Sequence, residues 1–221
     1  MQSTTSGTAS INGGYLVIGA GGDGLDANGN FTMTGGTAIV NGPTNGGNGA
    51  LDYDGEFNMS GGTLIAAGSL GMVQTPSDAS SQKSLNISVS QQDANSIIHV
   101  EDESGNNVLT FAPSKTYQSV VVSSPKIKSN STYKVYVGGS STGTQSDGLY
   151  SGGTYRKGTE IGSTTVSSSI TSITQDGISS GGSIGMPRGG RGGNKGNMQS
   201  APQSNVRNEN TQQGNIEGEI Q

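Results

Sequence analysis

"MTGGTAIV", residues 33–40, occurs in three variants along the chain: "INGGYLVI" at 11–18 precedes it and "MSGGTLIA" at 59–66 follows it. Each copy sets a Gly-Gly pair ahead of a short apolar run. The pairs begin at 13, 35 and 61, so the steps are 22 and 26 residues. Between the copies, "GDGLDANGNF" (22–31) matches "GNGALDYDGEF" (47–57), with one extra residue in the second. The stretch Gly42-Pro43-Thr44-Asn45-Gly46 accounts for most of the longer step. A period of this size, built from short strands and turns, marks a solenoid. Each repeat is read as one coil of a parallel β-helix. Stacked coils place equivalent residues about 4.8 Å apart, so every alignment column becomes a ladder. The columns Leu25/Leu51, Phe31/Phe57, Met33/Met59 and Ile39/Ile65 are expected to point inward and fill a narrow core.

The same glycines invite another reading. Gly19-Ala20-Gly21-Gly22-Asp23-Gly24 fits the G-x-G-x-x-G dinucleotide fingerprint and follows the apolar run Tyr15-Leu16-Val17-Ile18. That fingerprint needs a helix opening on its last glycine, and an acidic residue about 20 positions on, to hold a pyrophosphate and a ribose. Gly29 and the Gly35-Gly36 pair break the following segment, and no carboxylate lies between Asp26 and Asp52. The glycines are corners of a coil.

Composition agrees with an all-β chain. The 221 residues include 39 Gly and no Cys or Trp, with 29% hydrophobic and 12% charged residues. Thr, Val, Ile and Tyr lie between Gly, Asn and Ser clusters, a strand-and-turn pattern. No apolar run is long enough for a membrane span, and no charged start or apolar stretch marks a signal peptide. Absent cysteine excludes a disulfide scaffold and a thiolate metal site. Three regions follow. Residues 1–82 hold the coils, which begin so near the chain start that they are expected to be the end of a longer solenoid. Residues 83–175 carry alternating runs at 85–90, 96–102, 107–113, 117–125 and 132–139 and a last strand near 159–168, read as an antiparallel β-sandwich-like unit packed on or capping the coils. Residues 176–221 lack periodicity and apolar content and are expected to form a disordered tail rich in Gly, Asn and Gln.

Charge points to chemistry. Residues 1–82 hold Asp23, Asp26, Asp52, Asp54, Glu56 and Asp78 and not one Lys or Arg. Alignment stacks Asp26 over Asp52, Asn28 over Asp54 and Asp23 over Asn48. Like charges about 5 Å apart repel, and a hard cation relieves them. Calcium takes six to eight oxygens from Asp, Asn, carbonyls and water, so Asp23, Asp26, Asn28, Asp52 and Asp54 are candidate ligands. Asp and Asn also serve simply as turn formers, and that alternative stays open. Tyr53, flanked by Asp52 and Asp54, and Tyr150 and Tyr155 in a long loop are candidate platforms for sugar rings. His99 has no second histidine beside it and reads as structural. A lyase that abstracts a proton from a uronate needs a base on the coil face, and none is available there. Arg188, Arg191 and Lys195 are too few to imply a nucleic-acid partner.

The stretch "GGDGLDANGNFTMTGGTAIVNGPTNGGNGALDYDGEFNMSGGTLIAAG", continued by "TFAPSKTYQSVVVSSP", "TYKVYVGG" and "DGLYSGGTY", closely resembles the C-terminal coils of a bacterial carbohydrate-binding family. The match covers roughly residues 8–170. The resemblance implies a right-handed β-helix similar to pectate lyases in fold. It also implies calcium, binding of cellulose and polygalacturonate without cleavage, and a secreted or cell-surface location. The family's calcium-binding acidic turns would fall on Asp23, Asp26, Asp52 and Asp54. The chain departs from the family in having fewer coils and no export signal. The alternatives are a structural, adhesin-like solenoid without sugar affinity and a polysaccharide lyase-like enzyme.

Overall fold

The computed structural model of the protein describes residues 7–177. The Gly-rich tail read from residue 176 therefore lies, beyond Gly177, outside the described residues. Three repeat layers carry the first six strands: β1 (Gly7–Gly19); β2 (Leu25–Ala27) with β3 (Gly29–Asn41); and β4 (Leu51–Tyr53) with β5 (Phe57–Met59) and β6 (Thr63–Gly68). Equivalent strands pair in parallel. β2 lies on β4 with Leu25 opposite Leu51 and Asp26 opposite Asp52. β3 lies on β5 through Phe31–Phe57 and Met33–Met59, then on β6 through Ile39–Ile65. β1 lies on β3 with the 22-residue step, Ser10 opposite Thr32 and Val17 opposite Ile39. These are the pairings that the sequence alignment assigns, but the Ile39/Ile65 column, expected to point into the coil, faces the other way: strand alternation turns Ala38, Val40, Leu64 and Ala66 inward instead.

The Gly-Gly pair is the corner at which β3 changes partner from β5 to β6. Gly14, Gly36 and Gly62 each sit at φ +82°, a conformation that L side chains rarely adopt. The first glycine of the pair is required for a different reason, close approach. A methyl group on Gly35 would lie 2.8 Å from the Asn12 carbonyl oxygen, and one on Gly61 would lie 2.2 Å from that of Thr34. Between the layers, Phe31, Met33, Leu51, Phe57, Met59 and Leu64 form one apolar cluster. Fully burying a side chain of this size contributes about 1.5–3 kcal/mol.

The remaining strands are β7 (Ser84–Gln92), β8 (Ile98–Asp102), β9 (Asn107–Phe111), β10 (Tyr117–Ser123), β11 (Thr132–Val137), β12 (Ser140–Ser141), β13 (Thr144–Ser146), β14 (Leu149–Ser151), β15 (Tyr155–Arg156), β16 (Thr159–Thr165) and β17 (Ile170–Thr174). Two large sheets result. The first runs β1-β3-β6-β10-β7-β17, with β5 beside β3. The second runs β13-β14-β9-β8-β11-β16 and is antiparallel throughout. Ile39, Ile65, Leu85, Ile87, Val120 and Val122 of the first sheet pack with Ile98, Val100, Leu109, Phe111, Tyr133 and Val135 of the second. Val121, between Val120 and Val122, belongs instead to the cluster inside the layers, as the two-residue period of a strand dictates.

The protein is thus all-β with mixed sheets, and no helix occurs among the described residues. Residues 83–175 differ from the purely antiparallel unit expected of them in two respects. β10 pairs antiparallel with β6, so the sheet of the layers runs on into this region. β17, which the sequence did not mark as a strand of its own, pairs in parallel with β7. The long loop expected to hold Tyr150 and Tyr155 is structured: β13 and β14 pair as a short hairpin, and Tyr155 opens β15.

Candidate functional site

The layers present one polar face. Along β1, β3 and β5 the residues that alternate with the apolar columns point outward: Thr8, Ser10 and Asn12; Asn30, Thr32 and Thr34; Glu56, Asn58 and Ser60. Neighbouring layers are tied through these side chains. Ser10 and Thr32 hydroxyls lie 2.9 Å apart, Thr34 donates to Asn12 Oδ1 at 2.9 Å, and Glu56 N–H donates to Asn30 Oδ1 at 3.0 Å. The result is a ladder of hydroxyls and carboxamides at the interlayer spacing of about 4.8 Å. Ser60 also lines an open cleft with Gln82, Lys83, Pro125, Lys128 and Ser129. The fold thus brings Lys83 beside the last column of this face.

The acidic turns occupy another edge of the layers. Asp26 is exposed, in register with half-buried Asp52. Asp52 Oδ1 accepts from Gln74 Nε2 at 3.3 Å, and Asp23 Oδ1 accepts from Gly49 N–H at 2.8 Å. Asn28 and Asp54 lie in the turns after β2 and β4, where Asp54 N–H donates to the Ala27 carbonyl at 3.1 Å. Asp23 is therefore a turn-tying residue that links two layers. Among the described residues, no group of three or more His, Cys, Asp or Glu side chains is placed to hold a metal. The acidic turns therefore form no cage of several carboxylates among the described residues.

The candidate sugar tyrosines lie on three different strands. Tyr53 is in the third layer, its ring edge-on to Phe57 at 5.9 Å and its hydroxyl donating to the Thr75 carbonyl. That ring is committed to packing. Tyr150 is half-buried on β14, opposite Gln145. Tyr155 on β15 stacks on His99 with centroids 3.9 Å apart; its hydroxyl donates to the Gly138 carbonyl and accepts from Gly158 N–H.

Tyr155 leads to a cluster that sequence reading missed. His99 and Glu101, two apart on β8, share the outer face of the second sheet. Glu101 is buried; it accepts from Tyr136 at 3.0 Å and from Lys157 at 2.6 Å, and His99 Nε2 lies 3.6 Å away. The Thr110 hydroxyl donates to Asn107, so it accepts from His99 Nδ1–H at 2.8 Å. The only signal in the sequence was the spacing of His99 and Glu101 on one face of an otherwise aliphatic strand. The cluster fastens the 138–158 segment over the sheet.

Burial pulls the His99 pKa below its ordinary value of 6.5, against the opposing pull of Glu101. For Glu101, burial alone would raise the pKa, but hydrogen bonds from Lys157 and Tyr136 outweigh it and hold the carboxyl below 4.5. Both shifts act in the same direction. Below pH 6.5 the unfolded histidine takes up a proton that the folded one resists, so stability falls with pH until folded His99 has also titrated. Glu101 contributes fully above its unfolded pKa, and that contribution is lost as pH falls through its lowered folded value. His99→Phe keeps a ring against Tyr155 and should flatten the decline just below pH 6.5 in thermal melts. An unchanged slope would assign the decline to other groups.

The chain matches no family model, no curated protein and no solved structure.

Proposed function

We propose that the protein is a non-catalytic binder of plant cell-wall polysaccharide, acting outside the cell or at its surface. In this reading the three layers are turns of a right-handed parallel β-helix. The observation that carries the proposal is the polar face of Thr8, Ser10, Asn12, Asn30, Thr32, Thr34, Glu56, Asn58 and Ser60. An extended, evenly spaced array of hydroxyls and carboxamides suits a hydroxyl-rich polymer, whose own groups exchange donor and acceptor roles with it. Lys83 and Lys128, in the cleft that Ser60 lines, add cationic partners for an acidic chain such as polygalacturonate. The resemblance of the repeats to a cellulose- and polygalacturonate-binding family points the same way.

Calcium belongs to the same proposal. Bound by Asp26 and Asp52, it would neutralise the paired carboxylates and offer a coordination position to a uronate carboxylate.

Affinity electrophoresis through gels containing soluble β-glucan or polygalacturonate, with calcium and with chelator, tests the reading. Retardation without release of product is expected, with the polygalacturonate shift reduced by chelator. Thr32→Ala removes one hydroxyl from the centre of the face and should weaken binding up to about tenfold, the equivalent of one hydrogen bond. Free migration in both gels would leave the structural solenoid as the better reading.

A further inference from the structure

The two ends of the layered stack are finished differently. At the third layer, the strand edge is closed by residues 74–82 and by β10. Gln74 Oε1 accepts from Tyr53 N–H at 2.9 Å, Ser77 Oγ from Phe57 N–H at 2.8 Å, and Ser80 Oγ from Met59 N–H at 3.0 Å. Gln82 N–H donates to the Met59 carbonyl, and β10 pairs with β6. At the first layer, the outer edge of β1 has no strand beside it among the described residues. Tyr15, Leu16 and Val17 are 53%, 37% and 42% exposed. One layer further in, the residues of the Leu16 and Val17 columns, Ala38 and Ile39, are both at 0%. No charged residue occurs between Gly7 and Gly22. Strand edges that face water are normally blunted by charge, proline or a cover.

The glycines make the point sharper. Gly35 and Gly61 are held to glycine by the carbonyl of the preceding layer, which a methyl group would strike. Gly13 occupies the same repeat position and meets nothing within 4 Å. Its φ is not in the left-handed region, so its own backbone makes no such demand. The first layer carries the clearance for a neighbour that is absent from residues 7–177.

We infer that the outer edge of β1 is the seat of a further parallel strand layer bearing the same Gly-Gly repeat. The chemistry of the occupant follows from the columns: Ser, Thr or Asn over Ser10 and Asn12, aliphatic residues over Leu16 and Val17, and a backbone carbonyl against Gly13. The occupant is a repeat strand and not a second folded copy. The opposite end of a second copy is already covered by β10 and by Gln74, Ser77 and Ser80, so it offers no parallel edge.

The test is the full chain with a second copy of residues 7–28 inserted directly before Gly7. The outward-facing amides of β1 should gain at least tenfold protection from hydrogen exchange, and the melting temperature should rise. Gly13→Ala should be silent in the natural chain yet lower the melting temperature of the extended one. A synthetic peptide of residues 29–41, added to the natural chain, should protect the same amides. An inserted copy that exchanges like unfolded chain and leaves β1 unprotected would overturn the inference. Destabilisation of the natural chain by Gly13→Ala would overturn it too, as would a natural chain that dimerises through β1.

Discussion

Phe57→Ala should lower the unfolding free energy by roughly 3–5 kcal/mol, the range for deleting a buried aromatic ring. Phe57 is 1% exposed and lies between two aromatic neighbours, Phe31 at 4.6 Å and Tyr53 at 5.9 Å. The cavity cannot close cheaply. Both polar groups of the Phe57 backbone are pinned to Ser77: its N–H donates to Ser77 Oγ and its carbonyl accepts from Ser77 N–H. Phe31 is in turn fixed by β3, which pairs with β1, β5 and β6. Denaturant unfolding should show a large fall in midpoint for Phe57→Ala, whereas Phe57→Leu, which keeps most of the volume, should cost less than half as much. Equal effects of the two substitutions would mean that the layer collapses freely and that interlayer packing contributes little.

The ring columns were legible in the sequence because each layer repeats the same residue type at the same place. Leu over Leu, Phe over Phe and Met over Met need only the period to be found. The finish of the stack was not legible. Gln74, Ser77, Ser80 and Gln82 lie in "VQTPSDASSQK", which reads as a polar linker because its strand-edge hydrogen bonds come largely from side chains. Pairing of β10 with β6 was hidden for another reason. Its partners lie about fifty residues apart in the chain, and alternation says that a strand exists without saying which edge it joins. β17 was missed because "ITSIT" is short and polar, and its register is set by β7 across more than eighty residues.

The candidate site divides in the same way. Opposition of Asp26 and Asp52 followed from alignment, but the hydrogen bond from Gly49 to Asp23 did not, since an Asp that ties a turn and one that holds a cation have the same sequence signature. Tyr155 looked like an exposed platform because it lies in a stretch read as a long loop. Its partner His99 lies on a different strand, and only the fold brings the two rings together. The polar face corresponds to the alternation in "NFTMT" and "EFNMS", which by itself marks a half-buried strand and no ligand.

Gly24→Ala should destabilise the protein by roughly 1–3 kcal/mol, as overpacking at a tightly packed position does, while Gly19→Ala and Gly21→Ala should stay within about 0.5 kcal/mol. The three glycines are the fixed positions of the dinucleotide fingerprint, so a phosphate cradle would need all of them. The fold distinguishes them. A methyl group on Gly24 would lie 2.2 Å from the Ala50 carbonyl oxygen and 2.6 Å from Val40 Cγ1, whereas Gly19 and Gly21 meet nothing within 4 Å. The Ala50 carbonyl cannot easily step aside, because it accepts a hydrogen bond from Leu25 N–H at 3.0 Å, and Gly24 N–H is itself bound to the Gly49 carbonyl. Relieving the clash would open both bonds between the second and third layers next to the Leu25–Leu51 pair. None of the glycines opens a helix, so no row of free amides faces a pyrophosphate there. Thermal melts of the three variants, each with and without a dinucleotide, decide the matter. Loss confined to Gly24→Ala, with no shift from the dinucleotide, is the signature of a layer corner. Comparable losses at all three positions, or a ligand-dependent rise in melting temperature, would return the phosphate reading to the front.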